Sequence, residues 1–365
     1  MKLALLGDIA LFGRMSVNTN PKLYEYFMDI ADYLSHFDYV VGNLETPFSV
    51  VKKKHGAKSA FICSDVENVR TLKQLHIDAV CLANNHMFDF GSEGYETTKK
   101  VLKENCIDFF GTEGKELRIE RDGCVLVFNG YCCYTSGPLK CVPFGEYGVN
   151  AYNLRTVEER IKRNEERGAL NIVSVHAGLE HVNYPSIEHI SAARKLAEKV
   201  DYVYYGHHPH VIQGAEKYKG SIIAYSLGNF CFDDIYTKAS GNKPLITLTE
   251  NNRHGAILEL TIEKNRVINW SETVVHIEKG NKMKLVETYA PLNDYNNAIT
   301  SCELDVQSYK AKRKAILDAR ITERKKSRNL IWYLKRLKPM YFQILMNAKK
   351  NTKEYNNNVL KYISK

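Results

Sequence analysis

An α/β fold is predicted for this 365-residue chain by three observations. Through residue 280, short apolar runs end at small or polar residues and alternate with longer segments of helical spacing. Residues of metal-ligand type follow directly after most of those runs, as they do where the carboxyl ends of parallel strands share one edge. The composition, 44% hydrophobic and 25% charged, is that of a globular chain, and no apolar run approaches the ~20 residues of a membrane span.

The apolar runs predict strands at Leu3–Leu6, Tyr39–Val41, Ala79–Leu82, Phe109–Phe110, Val125–Phe128, Ile172–Val175, Tyr202–Tyr205 and Ile222–Tyr225. Helical spacing predicts helices at Leu23–Phe37, Val66–Leu75, Gly94–Asn105, Val157–Arg167 and Ile187–Lys199. Asp65 and Ser92 are placed to cap the second and third of these, because short polar side chains satisfy free amides at helix starts. Ala256–Ile262 and Val267–Val275 alternate like the closing strands of a sheet.

Residues 1–280 read as one domain and 281–365 as a largely helical extension. All 22 glycines fall at or before Gly280. From Lys310 to Lys365 there are 17 Lys and Arg against 3 Asp and Glu, a net of +14, so the remainder carries −5 of the total +9. Leu330, Leu334, Leu337, Tyr341 and Ile344 form a heptad-like stripe flanked by basic residues, with Pro339 interrupting it. Two readings fit: a helix folded back over the first domain with a solvated basic face, or a segment that docks on an anionic membrane surface or a polymer synthase through residues 310–365. Trp332 and Tyr333 among the cations suit the second. A basic tail without a recognised binding module does not indicate nucleic acid. The short apolar start before Gly7-Asp8 lacks the form of a signal peptide, so a cytoplasmic location is expected, including the inner face of the membrane. Nine cysteines without Cys-x-x-Cys spacing argue against a disulfide framework or a zinc ribbon.

Five clusters at strand ends carry the chemistry. They are Gly7-Asp8, Gly42-Asn43-Leu44-Glu45, Ala83-Asn84-Asn85-His86, Val175-His176 and Gly206-His207-His208-Pro209-His210. Asp8, Glu45, Asn85, His176, His208 and His210 together offer two carboxylates, an amide oxygen and three imidazoles. That mixture suits manganese, iron or zinc and is too rich in imidazole for a dedicated magnesium or calcium cage. Taken singly, Asp8 reads as a cap or turn residue, Asn84-Asn85 as a turn and His86 as a core histidine. His208 and His210 would share one face of an extended segment, spread by Pro209. No phosphate-binding Gly-x-x-x-x-Gly-Lys loop and no Gly-x-Ser-x-Gly elbow is present.

The order of these motifs, continued by His176-Ala177-Gly178-Leu179-Glu180 and Tyr225-Ser226-Leu227-Gly228-Asn229-Phe230, resembles the CapA family of bacterial capsule and poly-γ-glutamate synthesis proteins. That family is a branch of the calcineurin-like metallophosphoesterases. The resemblance spans residues 1–275 and implies a four-layer α/β/β/α sandwich with two transition-metal ions, divalent or mixed-valence, at the strand ends. Carried over by position, Asp8 and His210 would hold one ion, Asn85, His176 and His208 the other, with Glu45 bridging and Asn43 assisting. His86 would be the acid at the leaving group, with Asp89 to orient it. The chain departs from the wider superfamily at Ala10, where Asp-x-His is usual, and at Met87, where a carboxylate is usual. The first departure is shared with the family proper.

The implied activity is metal-dependent hydrolysis of an anionic small-molecule or polymer substrate, a phosphoester or an amide-linked chain, in surface-polymer synthesis. Arg14 and His207 are candidate substrate contacts or structural residues. Glu180 is a candidate substrate or supporting group, and Asn229 either supports the His208 loop or forms a turn with Gly228. The competing function is a non-catalytic, metal-binding component of a polymer-assembly complex, docked through the basic tail. His86 favours the enzyme and Ala10 the alternative.

Overall fold

The computed structural model describes residues 1–51, 53–58, 60–236, 243–326 and 337–364. The chain runs β1 (Lys2–Ile9), α1 (Leu23–Leu34), β2 (Tyr39–Leu44), α2 (Val69–Gln74), β3 (Ala79–Cys81), α3 (Gly91–Glu104) and β4 (Asp108–Phe110). A hairpin of β5 (Leu117–Arg121) and β6 (Cys124–Cys132) follows, then the short pair β7 (Cys141–Val142) and β8 (Val149–Asn150). Next come α4 (Leu154–Glu166), β9 (Leu170–His176), α5 (Ile187–Ala197), β10 (Tyr202–His207), β11 (Ile212–Tyr218), β12 (Ser221–Leu227) and β13 (Asn229–Cys231). The closing elements are β14 (His254–Glu263), β15 (Arg266–Ile277), β16 (Met283–Val286), α6 (Ala290–Thr300), α7 (Val306–Lys326) and α8 (Pro339–Tyr355).

Two sheets face each other. One has the order β16-β15-β14-β1-β2-β3-β4, with β13 also on β1; the other is β11-β12-β10-β9-β6-β5. Each has a parallel centre: β1, β2, β3 and β4 in the first, β6, β9, β10 and β12 in the second. Leu3, Ala4, Leu5 and Leu6 of β1 are all fully buried, as expected of a strand covered on both faces. One side packs on Leu23, Phe27, Ile30 and Leu34 of α1, and the space between the sheets is filled by residues such as Phe110 and Phe128, whose ring centroids are 5.7 Å apart. Beyond the second sheet, a separate apolar cluster joins it to α4 and α5 through Val157, Ile161, Ile190 and Leu196. The layers are therefore helices, sheet, sheet, helices, the expected four-layer sandwich.

The strands extend past the predicted ends. β1 continues to Ile9, β2 to Leu44, β9 to His176 and β10 to His207, so Asp8 and Asn43 lie one residue before a strand's end and His176 at one. Register then sets neighbours: Asp8 lies opposite Asn43 on one side and Asn229 on the other, and His176 opposite His207. Glycine is required just before two of these residues. A Cβ at Gly7 would stand 2.2 Å from the Gly228 carbonyl oxygen, and one at Gly206 1.9 Å from that of Tyr225.

Several expectations are corrected. Asp65 precedes a short 3₁₀ turn at Val66–Asn68, and its carboxylate takes the Asn18 amide at 3.2 Å in place of capping. Ser92 lies inside α3, which begins at Gly91 with Phe90 at its cap. Pro339 starts α8 where an interruption was expected, since its missing N–H costs nothing in a first turn. Leu330, Trp332, Tyr333 and Leu334 fall outside the described residues, while Leu337 is exposed and Tyr341 and Ile344 are half-buried.

Beyond residue 280, β16 pairs with β15 and α6 lies on β11. Farther on, α7 follows the loop after β9: the Tyr309 hydroxyl donates to the Pro185 carbonyl at 2.8 Å and Arg313 Nε to that of Tyr184 at 3.3 Å. The chain end returns over α4 and α5, where Lys195 Nζ donates to the carbonyls of Tyr362 and Ile363.

Candidate metal centre

Asp8 is fully buried at the end of β1. Its Oδ1 accepts the Asn43 amide at 2.7 Å, and its Oδ2 accepts the His208 backbone N–H at 3.2 Å. His210 Nδ1 stands 3.3 Å from Asp8 Oδ2 and its Nε2 3.6 Å from Glu45 Oε1. Glu45, also fully buried, has no hydrogen-bond partner on either carboxylate oxygen. Ligand atoms of Asp8, Glu45 and His210 all lie within 4.8 Å of one another. On the other side, His176 Nε2 is 3.1 Å from Asn85 Oδ1, and the His176 and His208 ring centroids are 4.7 Å apart. All the residues expected to hold metal thus converge from both sheets.

His208 and His210 do not sit on an extended segment as expected. Their φ values are +92° and +56°, in a tight bend around Pro209. For residues with a Cβ this backbone is strained, and such strain gathers at functional sites. It turns His208 toward His176 and His210 toward Asp8.

Burial prepares these groups for a cation. It lowers His176 well below the ordinary imidazole range, and His207 and His208 to about 4. The neutral imidazole is the form that ligates. Burial, then the nearby Asp8 charge, pushes Glu45 well above the carboxylate range. His210 moves the other way, up to about 10, because Glu45 and Asp8 outweigh the burial that would lower it. Glu45 keeps both carboxylate oxygens buried without a hydrogen-bond partner beside Asp8 and His210, a cost that a coordinated cation would remove. The donor set fits transition-metal ions on that ground.

Beside the ligands, His86 Nδ1 is 2.6 Å from Asp89 Oδ2, and its Nε2 lies 3.9 Å from Glu45 Oε1. Lys58 Nζ donates to Asp89 Oδ1 at 2.8 Å and to the Asn85 carbonyl at 2.7 Å. Burial and the Lys58 ammonium lower His86 below its ordinary value, and Asp89 opposes both. Lys58 was not singled out from sequence; its loop carries no periodic signal and only folding brings it to Asp89. Asn84 ties the loops together, donating to Asn43 Oδ1 and the Leu44 carbonyl and accepting from the His86 N–H.

The expected substrate contacts divide. Glu180 and Asn229 line the cavity over the ligands, together with Asn85, His86 and His210. Asn229 Oδ1 is 3.0 Å from His210 Nδ1, so it orients that ring. Burial would raise Glu180, but His208, His210, His181 and Arg320 hold it down to about 2. Arg14 instead places its guanidinium 2.5 Å from Asp233 and 3.0 Å from Asp234, and the fork that would take an anion is already engaged. His207 is fully enclosed, with Nδ1 3.6 Å from Asp8 Oδ1, and does not reach a substrate.

A family model described as bacterial capsule synthesis protein PGA_cap matches residues 2–234, which contain every residue of this centre. The chain belongs to that family. Among curated relatives it is similar to the capsule biosynthesis protein CapA of Bacillus anthracis, 29% identical over 252 residues, covering 65% of this chain and 61% of that one. It is also similar to the PGA biosynthesis protein CapA of Bacillus subtilis, 26% identical over 250 residues, covering 67% and 62%. The chain therefore spans about three fifths of the length of these curated relatives. Solved structures similar to it include a hypothetical protein from Thermus thermophilus, 19% identical with a TM-score of 0.45, covering 75% of this chain and 98% of that one. Another is the NAD nucleotidase of Haemophilus influenzae, 12% identical with a TM-score of 0.41, covering 86% and 60%. Among the described residues no helix is long and apolar enough to cross a membrane.

Proposed function

We propose that this PGA_cap protein is a metal-dependent hydrolase that cleaves an anionic phosphoester, free or at the end of a polymer, during synthesis of capsule, poly-γ-glutamate or another surface polymer. The carrying observation is that His86, braced by Asp89 and Lys58, lines one cavity with Asn85 and His210, beside buried metal-ligand atoms of Glu45, His176 and His208 that have no hydrogen-bond partner. Asp8, Asn43, Glu45 and His210 would hold one ion, and Asn85, His176 and His208 a second, with Glu45 between them. Two such ions, when bound, supply Lewis-acid polarisation of a phosphoryl group and a more acidic water.

The remaining steps fall to the chain's own residues. The Asp89 carboxylate accepts the His86 Nδ1–H, which fixes the ring and directs Nε2 into the cavity. Nε2 has a proton to give the departing oxygen only in the doubly protonated ring, the form that Asp89 favours and that burial and Lys58 oppose; a purely structural metal site does not need that role. Asn229 holds His210 in place through its Oδ1. On this reading the protein acts in the cytoplasm or at the inner face of the membrane.

A second reading is favoured by Ala10, fully buried where an imidazole would complete the first ion's ligands. The protein would then be a metal-binding assembly component without turnover, docked on a membrane or polymer synthase through residues 310–365. Elemental analysis and bis(p-nitrophenyl) phosphate hydrolysis separate the two. About two ions per chain, with turnover lost in Asp8→Ala and in His86→Gln, establishes the hydrolase. Metal retained with no turnover in manganese-, iron- or zinc-loaded protein establishes the second reading.

A further inference from the structure

Among the described residues, a further cluster of metal-ligand side chains lies beyond the family-matched residues 2–234 and takes no part in the buried centre. It consists of Glu250, His254 and His276, and a ligand atom of each lies within 4.8 Å of the other two. Register brings the imidazoles together. His254, the first residue of β14, lies directly opposite His276 of β15, so both side chains leave one face of the sheet. Their rings stack with centroids 4.5 Å apart, and Tyr289 stacks on His254 at the same distance. Glu250 comes from the 3₁₀ turn Glu250–Arg253 that leads into β14.

The hydrogen bonds leave donor atoms for a cation. His254 Nδ1 stands 2.9 Å from the Glu250 carbonyl oxygen, which can only accept, so Nδ1 carries the hydrogen and Nε2 keeps its lone pair. His276 Nε2 stands 2.9 Å from Glu250 Oε1, and the proton between them is one that a metal ion can replace. Like charges directly opposite across two strands repel, so the stacked imidazoles do not both take up protons easily, and an ion shared between neutral rings avoids the conflict. Lys284, opposite His276 on β16, has its ammonium paired with Glu278 at 2.6 Å. With side-chain exposures of 20% for His276 and 64% for Glu250, a fourth position is open to water. Two imidazoles and one carboxylate are a zinc donor set, and such sites take zinc, nickel or copper ahead of manganese or magnesium.

The turn also reaches the buried centre. Asn252, two residues after Glu250, donates its amide to the His210 carbonyl at 2.8 Å, and its own carbonyl accepts the Asn229 amide at 3.0 Å. We infer that Glu250, His254 and His276 form a second metal site, of zinc type, whose ion ties the Glu250–Arg253 turn to β15 and steadies the Asn252 support of the His210 bend. The site stands whether or not the buried centre catalyses hydrolysis.

Full-length protein freed of metal by a chelator is titrated with zinc by calorimetry, and bound zinc is counted by elemental analysis, beside His276→Gln and Glu250→Gln. The ligands of the buried centre are common to all three proteins and cancel in the difference. At micromolar free zinc, wild type is expected to hold about one ion per chain more than His276→Gln, and Glu250→Gln to bind that ion at least about tenfold more weakly. Loss of more than one ion in His276→Gln would mark misfolding, and Glu250→Gln, altered at an exposed side chain, then decides. Amide hydrogen exchange of residues 249–254 is expected to slow at least about tenfold more on zinc addition in wild type than in Glu250→Gln. Zinc binding in Glu250→Gln equal to that of wild type overturns the site and leaves Glu250 and His276 an ordinary ion pair. One ion bound with unchanged exchange in the turn upholds the site and overturns the clamp.

Discussion

Asp89 binds two partners through its two oxygens: Oδ2 lies 2.6 Å from His86 Nδ1 and Oδ1 2.8 Å from Lys58 Nζ. The carboxylate is fully buried, yet its pKa is lowered, because His86 and Lys58 outweigh the burial that would raise it. As an anion it holds the His86 Nδ1–H in place and favours the protonated ring, whose Nε2 carries the acid's proton. His86→Gln removes the proton donor and is expected to cost about 10²–10⁴ in kcat. Asp89→Asn leaves the imidazole in place without its orienting charge, and a loss of about 10–100-fold is expected. Elemental analysis should show both variants with wild-type metal content. Loss of metal in either would move His86 from the acid's role to that of a ligand or structural residue.

Metal should stabilise this fold, since the buried cluster has to be held together without water. A ligand that binds only the folded state adds RT ln(1 + [L]/Kd), about 2.7 kcal/mol at a hundredfold excess over Kd. Treatment with a chelator is expected to lower Tm by several degrees, and manganese to restore it. In Glu45→Gln the close carboxylate pair is gone, so the metal-free variant should be at least as stable as metal-free wild type while losing most of the metal-induced gain. An unchanged gain in thermal unfolding would show that Glu45 is not a ligand.

While β5, β7, β8, β11, β13 and β16 were not predicted, the parallel strands at the centre of both sheets and the β14–β15 pair were legible, because each is an apolar run long enough to stand out. Their ends were not, because Asp8, Asn43, His176 and His207 are polar residues that tolerate burial only where both sheets converge. The same convergence brings together the five clusters that the sequence singles out as candidate ligands. What sequence missed has a common physical cause, pairing with distant residues. Arg14 stays open between an anion contact and a structural residue until Asp233 is brought to it from 219 positions away. Strand β11 was overlooked because Gly214 and Glu216 disguise it. Gly214 admits α6, where a Cβ would stand 2.4 Å from the Tyr295 carbonyl, and Glu216 is buried against Arg194.

That Arg194 pair carries the third prediction. Arg194 Nε and Nη2 donate to the two oxygens of Glu216 at 2.9 and 2.7 Å, and the Tyr225 hydroxyl adds a bond at 2.8 Å. Arg194 Nη1 also reaches the exposed Glu303, three residues past the end of α6, at 2.7 Å. Arg194→Met leaves a buried carboxylate without its counter-charge and is expected to cost about 3–5 kcal/mol in denaturant unfolding. The double variant Arg194→Met, Glu216→Met should recover most of that loss. A double variant as unstable as the single would mean that packing, not charge, holds α5 to β11.

Glu272 on β15 gives a pH-dependent test well away from the metal ligands. Its Oε2 accepts the Asn296 amide at 3.0 Å, while its buried Oε1 has no hydrogen-bond partner. Burial raises its pKa to about 7 from an ordinary 4.5, and the Asn296 bond opposes the rise without cancelling it. Between those two values the folded chain holds a proton that the unfolded chain has released, so the fold loses stability as pH rises through that window. Below the window both states are protonated, and above it the penalty is constant. Glu272→Gln keeps the acceptor for Asn296 and never ionises. The variant should exceed wild type by on the order of 1–2 kcal/mol at pH 8, and the gap should close as the pH is brought down to 4.5. Denaturant unfolding at the two pH values decides the point. A difference that stays the same at both would mean that Glu272 is already solvated in the folded state, and that α6 does not seal this end of the sheet.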